Sequence, residues 1–153
     1  MAQPADQALG YRLDEQVGFL MRQANQRHLA IFGRRIPDFT PTQFATLAKL
    51  AELGSVSQND LGRQTAMDSA TMKGVIDRLA RRGLVSSRPD PSDMRRLLIG
   101  LTEAGRAAYA DHVAAAEAIS TETLAPLSPE ERVQFLDLLR RMIAARHSEG
   151  TNP

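Results

Sequence analysis

The clearest pattern in the sequence is a stripe of apolar residues between positions 68 and 82, in the run DSATMKGVIDRLARR. The residues that recur there at the i, i+3, i+4, i+7 spacing of one helix face are Met72, Val75, Ile76 and Leu79. Asp68 is a favoured N-cap, and the following Gly83 suits a helix end. The pattern predicts an amphipathic helix whose other face carries short or polar groups: Ser69, Ala70, Thr71, Lys73 and Gly74.

The flanking residues predict a winged helix-turn-helix. Ser57, followed three residues later by Asp60, resembles a capping box and starts a short helix that ends near Thr65, so two short helices stand in tandem. After Gly83 the pattern changes to a strand (84–88), a loop with prolines (89–94) and a second strand (95–101). A hairpin directly after the second helix forms a wing, here expected to have two strands.

Four further amphipathic helices are predicted, which makes the fold mainly α. They span residues 13–35, 41–53, 103–124 and a stretch that begins at 129, with caps predicted at Thr40, Thr102 and Ser128. A single chain with so few helices would leave long apolar stripes in water, so a second copy is the natural cover. We therefore expect a homodimer with a two-fold axis, built on helices from both chain ends.

The length of 153 residues fits one domain. Within this single domain, 1–153, we expect a DNA-binding lobe at 40–102 and a helical dimerisation region at 11–36 and 103–147. The formal net charge of +1 does not by itself indicate a nucleic-acid partner, but arginines crowd the stretch 78–96 while acidic residues follow it.

Composition narrows the classes of function. With no cysteine, the chain has no disulfide, no thiolate zinc site and no thiol redox switch. No Ser/His/Asp spacing, phosphate-binding glycine loop or metal-ligand cluster is present, and the three histidines, His28, His112 and His147, lie on separate predicted helices. We therefore expect that the protein is not an enzyme and that it binds neither a cofactor nor a metal ion. The amino terminus lacks a basic segment followed by an apolar run, and no apolar run approaches about 18 residues, so we expect a cytoplasmic protein with no membrane partner.

The stretch RLARRGLVSSRPDPSDMRRLLIGLTEAG resembles the winged helix of the MarR family of bacterial transcription regulators. Asp93 and Arg95 match the family's wing Asp-x-Arg, and Leu101-Thr102-x-x-Gly105 matches the start of its next helix. The resemblance implies a homodimer that binds a palindromic operator in double-stranded DNA. Many members have an arginine on the outward face of the second helix where this chain has Gly74.

The DNA contacts are expected on the two short helices and the wing. Short side chains allow close approach to base edges, and a wing arginine oriented by Asp93 suits the negative potential of a minor groove. The candidates are Gln58, Asn59, Ser69, Ala70, Thr71, Lys73, Gly74, Arg78, Arg88, Asp93, Arg95 and Arg96. The alternatives are an ordinary solvated helix surface, or a winged helix that binds only protein, without DNA or ligand switching.

A ligand site is predicted on the first long helix. Arg22, Asn25 and His28 form an i, i+3, i+6 row that offers a cation, an amide and a titratable ring. With Phe32, Phe39, Phe44 and either Tyr11 or Tyr109 as apolar walls, this composition suits a small aromatic carboxylate.

Two stretches, GFLMRQANQRHLAIF and TAMDSATMKGVIDRL, are similar to family members that control catabolism of aromatic or nicotinate-type acids. The resemblance implies a repressor that such an acid releases from DNA. The alternatives are that His28 is a satisfied core histidine and that Arg22 reaches solvent or pairs with a carboxylate.

Overall fold

The computed structural model describes residues 10–145, and residues 146 and 147 of the predicted dimerisation region, including His147, lie outside that range. The helices are α1 (Val17–Arg35), α2 (Pro41–Leu53), α3 (Gln58–Gln64), α4 (Ser69–Arg81), α5 (Glu103–Thr123) and α6 (Pro129–Ala145). The strands are β1 (Val56–Ser57), β2 (Val85–Asp90) and β3 (Asp93–Leu101). The mainly α winged helix-turn-helix is confirmed. None of the helices in residues 10–145 has the length and apolar character needed to cross a bilayer.

Helix boundaries follow the predicted caps. The Thr40 hydroxyl accepts the Gln43 backbone N–H at 3.2 Å, and the Gln43 side chain accepts the Thr40 N–H at 3.1 Å, which completes a capping box. Asp68 accepts the backbone N–H of Thr71 at 2.7 Å, and this hydrogen bond lowers the pKa of Asp68. A side-chain hydroxyl also accepts a backbone N–H at the start of three more helices: that of Ser57 at α3, Thr102 at α5 and Ser128 at α6.

The first long helix differs from the prediction at its start. A one-turn 3-10 helix at Leu13–Glu15 precedes α1, and the extended backbone of Gln16 separates the two. The Gln16 side-chain amide donates to the Arg12 carbonyl at 3.0 Å, which closes this separate turn. An apolar spacing that runs through the break cannot reveal it, because Leu13 and Val17 keep helical spacing in either case.

The core lies where α1, α2, α4, α5 and the sheet meet. The four residues of the predicted α4 stripe are all buried, with exposed fractions of 0–8%. Around them pack Ile31, Phe32, Ile36, Phe39, Leu47, Leu50, Leu61, Leu84, Val85, Ile99 and Ile119. Burial of one face of α4 by all of these elements fixes the direction of its other face.

The wing belongs to a sheet of three strands rather than two. The order is β1-β3-β2, with all pairs antiparallel, and β1 adds the pairs Val56–Ile99 and Ser57–Leu98. The predicted loop 89–94 is also shorter, because β2 continues through Pro89, which lies opposite Leu97. Proline is tolerated at this position because β2 is an edge strand.

The start of α5 lies against the carbonyl of Leu84 at the base of the wing. The Thr102 hydroxyl donates to the Gly83 carbonyl at 2.6 Å and accepts the Gly105 N–H at 3.0 Å. A Cβ atom at Gly105 would overlap the Leu84 carbonyl oxygen, so only glycine allows this approach. The long helix and the wing are thereby joined backbone to backbone.

Gly105→Ala is expected to destabilise the protein by about 1–3 kcal/mol or more, because the new methyl group pushes the backbone of α5 away from the Leu84 carbonyl. The control is Gly33→Ala on α1, where a Cβ finds no atom within 4 Å and the better helix propensity of alanine adds up to about 1 kcal/mol. Urea unfolding followed by circular dichroism measures both. Equal stability of the two variants would contradict this account of the junction.

Candidate DNA-binding surface and ligand site

The outward face of α4 is open and made of short side chains. Ser69, Ala70, Thr71 and Lys73 are exposed, and Gly74 is half-buried. A Cβ atom at Gly74 would meet only an Arg78 guanidinium nitrogen, at 3.9 Å. Nothing bulky therefore separates the α4 backbone from a molecule that approaches this face, as close reading of base edges requires.

A groove of about 580 Å³ lies between α3 and β3. It is lined by Ser57, Gln58, Asn59, Asp60, Arg63, Arg95, Arg96 and Leu97. A second groove, of about 470 Å³, connects Gln58 and Asn59 to Ser69 at the start of α4. The two grooves share Gln58, Asn59 and Arg63, so they join predicted DNA-binding residues of α3, the start of α4 and the wing. Arg88 lies apart from them and lines a different groove with Ser55 and Leu98.

Asp93 and Arg95 mark the start of β3, next to the tight turn of the wing. The Asp93 carboxylate accepts the Arg95 backbone N–H at 3.1 Å and lies 3.8 Å from the Arg95 Nε atom. The Arg95 side chain is 97% exposed. Asp93 therefore fixes the backbone beneath Arg95 while the guanidinium extends into solvent, where a phosphate or a groove edge can meet it.

The other predicted cations differ in their surroundings. Arg88 and Arg78 are exposed, on β2 and α4. Lys73 pairs with Asp77 one turn further along α4, at 3.0 Å. Arg96 instead bonds to the Asp60 carboxylate at 3.2 Å.

Sequence reasoning missed Asp60 and Arg63 as part of the groove. Asp60 has the sequence position of a capping residue, and Ser57 does bond to it. Only the pairing of β1 with β3 brings the wing arginine to the same carboxylate.

The predicted ligand residues lie in three different surroundings. Phe32 and Phe39 are core residues, 7% and 6% exposed. Phe44 stacks on Tyr109 with ring centroids 5.9 Å apart and lines a groove of about 260 Å³ between α2 and α5. Arg22 is exposed and lines a different groove, of about 410 Å³, beside the 3-10 helix. One chain alone does not bring the six residues around a single cavity.

His28 lies near the end of the α2–α5 groove. Its Nδ1 atom is 3.0 Å from the Thr123 hydroxyl, and its side chain is half-buried. Thr123 is one turn beyond Ser120, which lines that groove. Asn25 is exposed one turn earlier on α1. His28 therefore has a polar partner in the protein, one helical turn along α5 from Ser120, and does not itself line the groove that Phe44 lines.

A cluster of charges joins α1 to α5 beside this site. The Glu122 carboxylate accepts from Arg34 at 2.8 Å and from Arg35 at 2.5 Å, and Arg27 donates to the Glu122 carbonyl at 2.9 Å. The hydrogen bonds from Arg34 and Arg35 lower the pKa of Glu122. Among residues 10–145, no three His, Asp or Glu side chains are grouped to hold a metal ion.

Known proteins match this chain over most of its length. The family model described as "MarR family" matches residues 39–97. The HTH-type transcriptional repressor NicR of Pseudomonas putida is 42% identical over 142 residues, which cover 92% of this chain and 90% of NicR.

Solved structures match as well. A probable transcriptional regulator from Pseudomonas aeruginosa is 52% identical, with a TM-score of 0.84 over 86% of this chain and 99% of that one. BpsR of Bordetella bronchiseptica is 45% identical, with a TM-score of 0.84 over 86% of this chain and 96% of BpsR, and its DNA binding is regulated by 6-hydroxynicotinic acid.

Acid should weaken the ion pairs that join α1 to α5 through the Glu122 carboxylate. Because the folded-state pKa of Glu122 lies below its ordinary value of 4.5, the carboxylate stabilises the fold above that pH and loses this contribution as pH falls through the folded pKa. The parent should therefore have a higher melting temperature than Glu122→Gln near neutral pH, and the difference between the two melting temperatures should narrow in acid.

Melting temperatures of both proteins between neutral pH and about pH 3 test this expectation. Glu52→Gln removes one carboxylate from the exposed Lys49–Glu52 pair and serves as the control, with a smaller gap expected. A gap that stays constant with pH would show that the Glu122 charge contributes nothing.

Proposed function

The chain belongs to the MarR family of transcription regulators, and on that premise we propose a cytoplasmic, homodimeric repressor that a nicotinate-type aromatic acid releases from palindromic DNA. The observation that carries the proposal is the continuous surface of α3, α4 and wing, where short side chains on α4 adjoin the exposed Arg95. This role is one of binding rather than catalysis.

In the proposed complex, α4 enters the major groove and the wing lies along the adjacent minor groove. Ser69, Thr71 and Lys73 supply polar groups to base edges and phosphates, and Gly74 lets the helix approach closely. Arg95 supplies positive charge where the narrow groove concentrates negative potential. Gln58 and Asn59, between the two, face the intervening backbone.

The dimer is argued from apolar surface. Helix α6 has no buried residue in the isolated chain. Six of its large apolar side chains are open to solvent, as are four on α1: Val133, Phe135, Leu136, Leu138, Met142 and Ile143, and Val17, Leu20, Met21 and Leu29. A second copy that covers these faces places two α4 helices about a two-fold axis. Half-sites about one helical turn apart, ~10 base pairs, then follow.

The effector is proposed to lie where α1 and α5 meet α2. In the isolated chain Arg22 lines a separate groove, so the proposal requires the dimer to bring Arg22 and His28, about 9 Å apart along the α1 axis, to one aromatic acid. Arg22 offers the carboxylate a bidentate partner, and the stacked Phe44 and Tyr109 rings offer an apolar wall. The regulation of BpsR by 6-hydroxynicotinic acid favours a hydroxylated heteroaromatic acid.

Release from DNA requires that the effector distinguish two arrangements of the dimer. Helices α1 and α5 are joined through Glu122, whereas α2 packs toward the DNA-binding lobe. A ligand between them can favour one separation of the two α4 helices. It shifts the equilibrium only by its difference in affinity for the two arrangements, so the DNA-free form must bind it more tightly.

The rival function is a winged-helix module that binds only protein. A protein that neutralises phosphates releases counterions, so its affinity for DNA falls steeply with salt. A duplex enriched from a random pool by the parent protein, titrated from low to physiological salt, separates the two functions. Absence of any enriched duplex would overturn the proposed DNA binding.

Arg95→Ala is expected to weaken binding to the enriched duplex on the order of tenfold, and to reduce the magnitude of the salt slope by about 0.9 if one phosphate contact is lost. Asp93→Ala should cause a smaller loss, because the guanidinium remains and only its anchoring changes. Fluorescence anisotropy at several salt concentrations measures both effects. Arg12→Ala, from an exposed pair with Glu15, is the control. Parent-like affinity for both wing variants would show that the wing does not touch the duplex.

Arg22→Ala is expected to abolish most of the response to 6-hydroxynicotinic acid, because the carboxylate of the bound ligand loses the cation that pairs with it. The measurements are the rise in melting temperature with ligand and the ligand concentration that releases the enriched duplex. Benzoic acid, which keeps the carboxylate but lacks the hydroxyl and the ring nitrogen, tests whether His28 and Asn25 read the ring. If Arg22→Ala responds as the parent does, while Arg12→Ala is also unchanged, the carboxylate site lies elsewhere.

A further inference from the structure

One carboxylate connects the two halves of the proposed DNA-binding surface. Asp60 on α3 accepts hydrogen bonds from the Ser57 hydroxyl at 2.9 Å and from Arg96 on β3 at 3.2 Å, and it also pairs with Arg63. It lies in the groove whose two walls are α3 and the wing. A hydroxyl from β1 and two arginines, one from α3 and one from β3, therefore converge on a single carboxylate.

This position is electrostatically unfavourable for plain DNA affinity. Asp60 faces the groove with a side chain 37% exposed, and a carboxylate there repels phosphates. It also occupies two arginines, Arg63 and Arg96, that would otherwise be free to neutralise phosphates. An acid at this point needs a function other than attraction of the duplex.

The hydrogen bond between Asp60 and Arg96 joins two residues that are 36 positions apart in the sequence. Strand β3 is held by hydrogen bonds to β1 and β2, but its outer part, from Asp93 to Leu97, pairs only with β2 on one edge. Arg96 lies in that outer part, beyond the last pair with β1 at Leu98. The Asp60–Arg96 bond therefore ties α3 to the part of the wing that β1 does not support.

We propose that Asp60 is a positioning residue that sets DNA specificity by holding the wing at a fixed distance from α3 through Arg96. The inference rests on the proposed DNA-binding function and deepens it. It gives Arg96 a role through Asp60 rather than a direct DNA contact, and leaves Arg95, only 3.8 Å from Asp93 yet almost fully exposed, as the wing residue that meets the duplex.

The physical consequence separates specific from non-specific binding. Non-specific binding depends on the number of phosphates neutralised, which a loose wing satisfies as well as a fixed one. Specific binding requires that α4 and Arg95 reach their grooves together in one register. Loss of the Asp60 charge should therefore lower affinity for the chosen duplex while it leaves or raises affinity for any other.

The test compares two duplexes for each protein: the duplex that the parent enriches from a random pool, and a shuffled duplex of the same length and composition. The variants are Asp60→Asn and Arg96→Gln, each of which removes a charge and keeps a polar side chain. The amide oxygen that Asp60→Asn introduces can still accept from Ser57, so the α3 start is preserved. Glu52→Gln, from an ion pair on α2, is the matched control.

Both groove variants are expected to reduce the affinity ratio of the two duplexes on the order of tenfold, with melting temperatures near that of the parent. Asp60→Asn should bind the shuffled duplex as well as the parent does or better. The double variant should be no worse than either single variant, because both remove the same link. Glu52→Gln should keep the parent ratio.

Three outcomes would overturn the inference. One is an unchanged ratio in Asp60→Asn with tighter binding to both duplexes, which makes Asp60 a simple repelling charge. Another is a salt slope reduced in magnitude by about 0.9 on both duplexes in Arg96→Gln, which makes Arg96 a phosphate contact. The third is additive losses in the double variant. If the parent enriches no duplex at all, the proposed function fails first, and the inference with it.

Discussion

The burial of one face of α4 is the constraint on which the rest of the structure depends. Its four apolar residues contact a core built from the helices on both sides and from the sheet, so the helix has no freedom to rotate about its axis. Everything that the opposite face offers to a partner is oriented by that packing. A surface helix without this anchor would present the same side chains in many directions.

Local signals predicted most of the elements. Caps at Thr40, Asp68 and Ser128 involve partners three residues away, and apolar stripes repeat within a few positions, so both can be recognised in the sequence alone. The third strand could not be predicted, because Val56–Ser57 has no periodicity of its own and exists through pairing with distant residues. The break at Gln16 was hidden for the opposite reason, since the spacing continues across it.

The candidate sites show the same division. The outward face of α4 followed directly from the stripe on its inward face, so those candidates lie where they were expected. The candidates Arg22, Asn25 and His28 form a row on one helix, and a row does not specify what packs over it. Phe32 and Phe39 are buried in the core, whereas Phe44 stacks on Tyr109, one of the two tyrosines that the sequence offered as a wall. The Asp60–Arg96 bond depends on tertiary pairing and has no local signal.

Gly74 gives the protein room for evolutionary change. Since an added Cβ there meets only the flexible end of Arg78, at ordinary contact distance, and most residues have better helix propensity than glycine, a single substitution can place a new side chain on the outward face of α4 without disturbing the core. The position is therefore a place where descendants of this chain can acquire different regulatory targets while their folding stays intact. The inner face of α4 offers no such separation, because its residues are committed to packing.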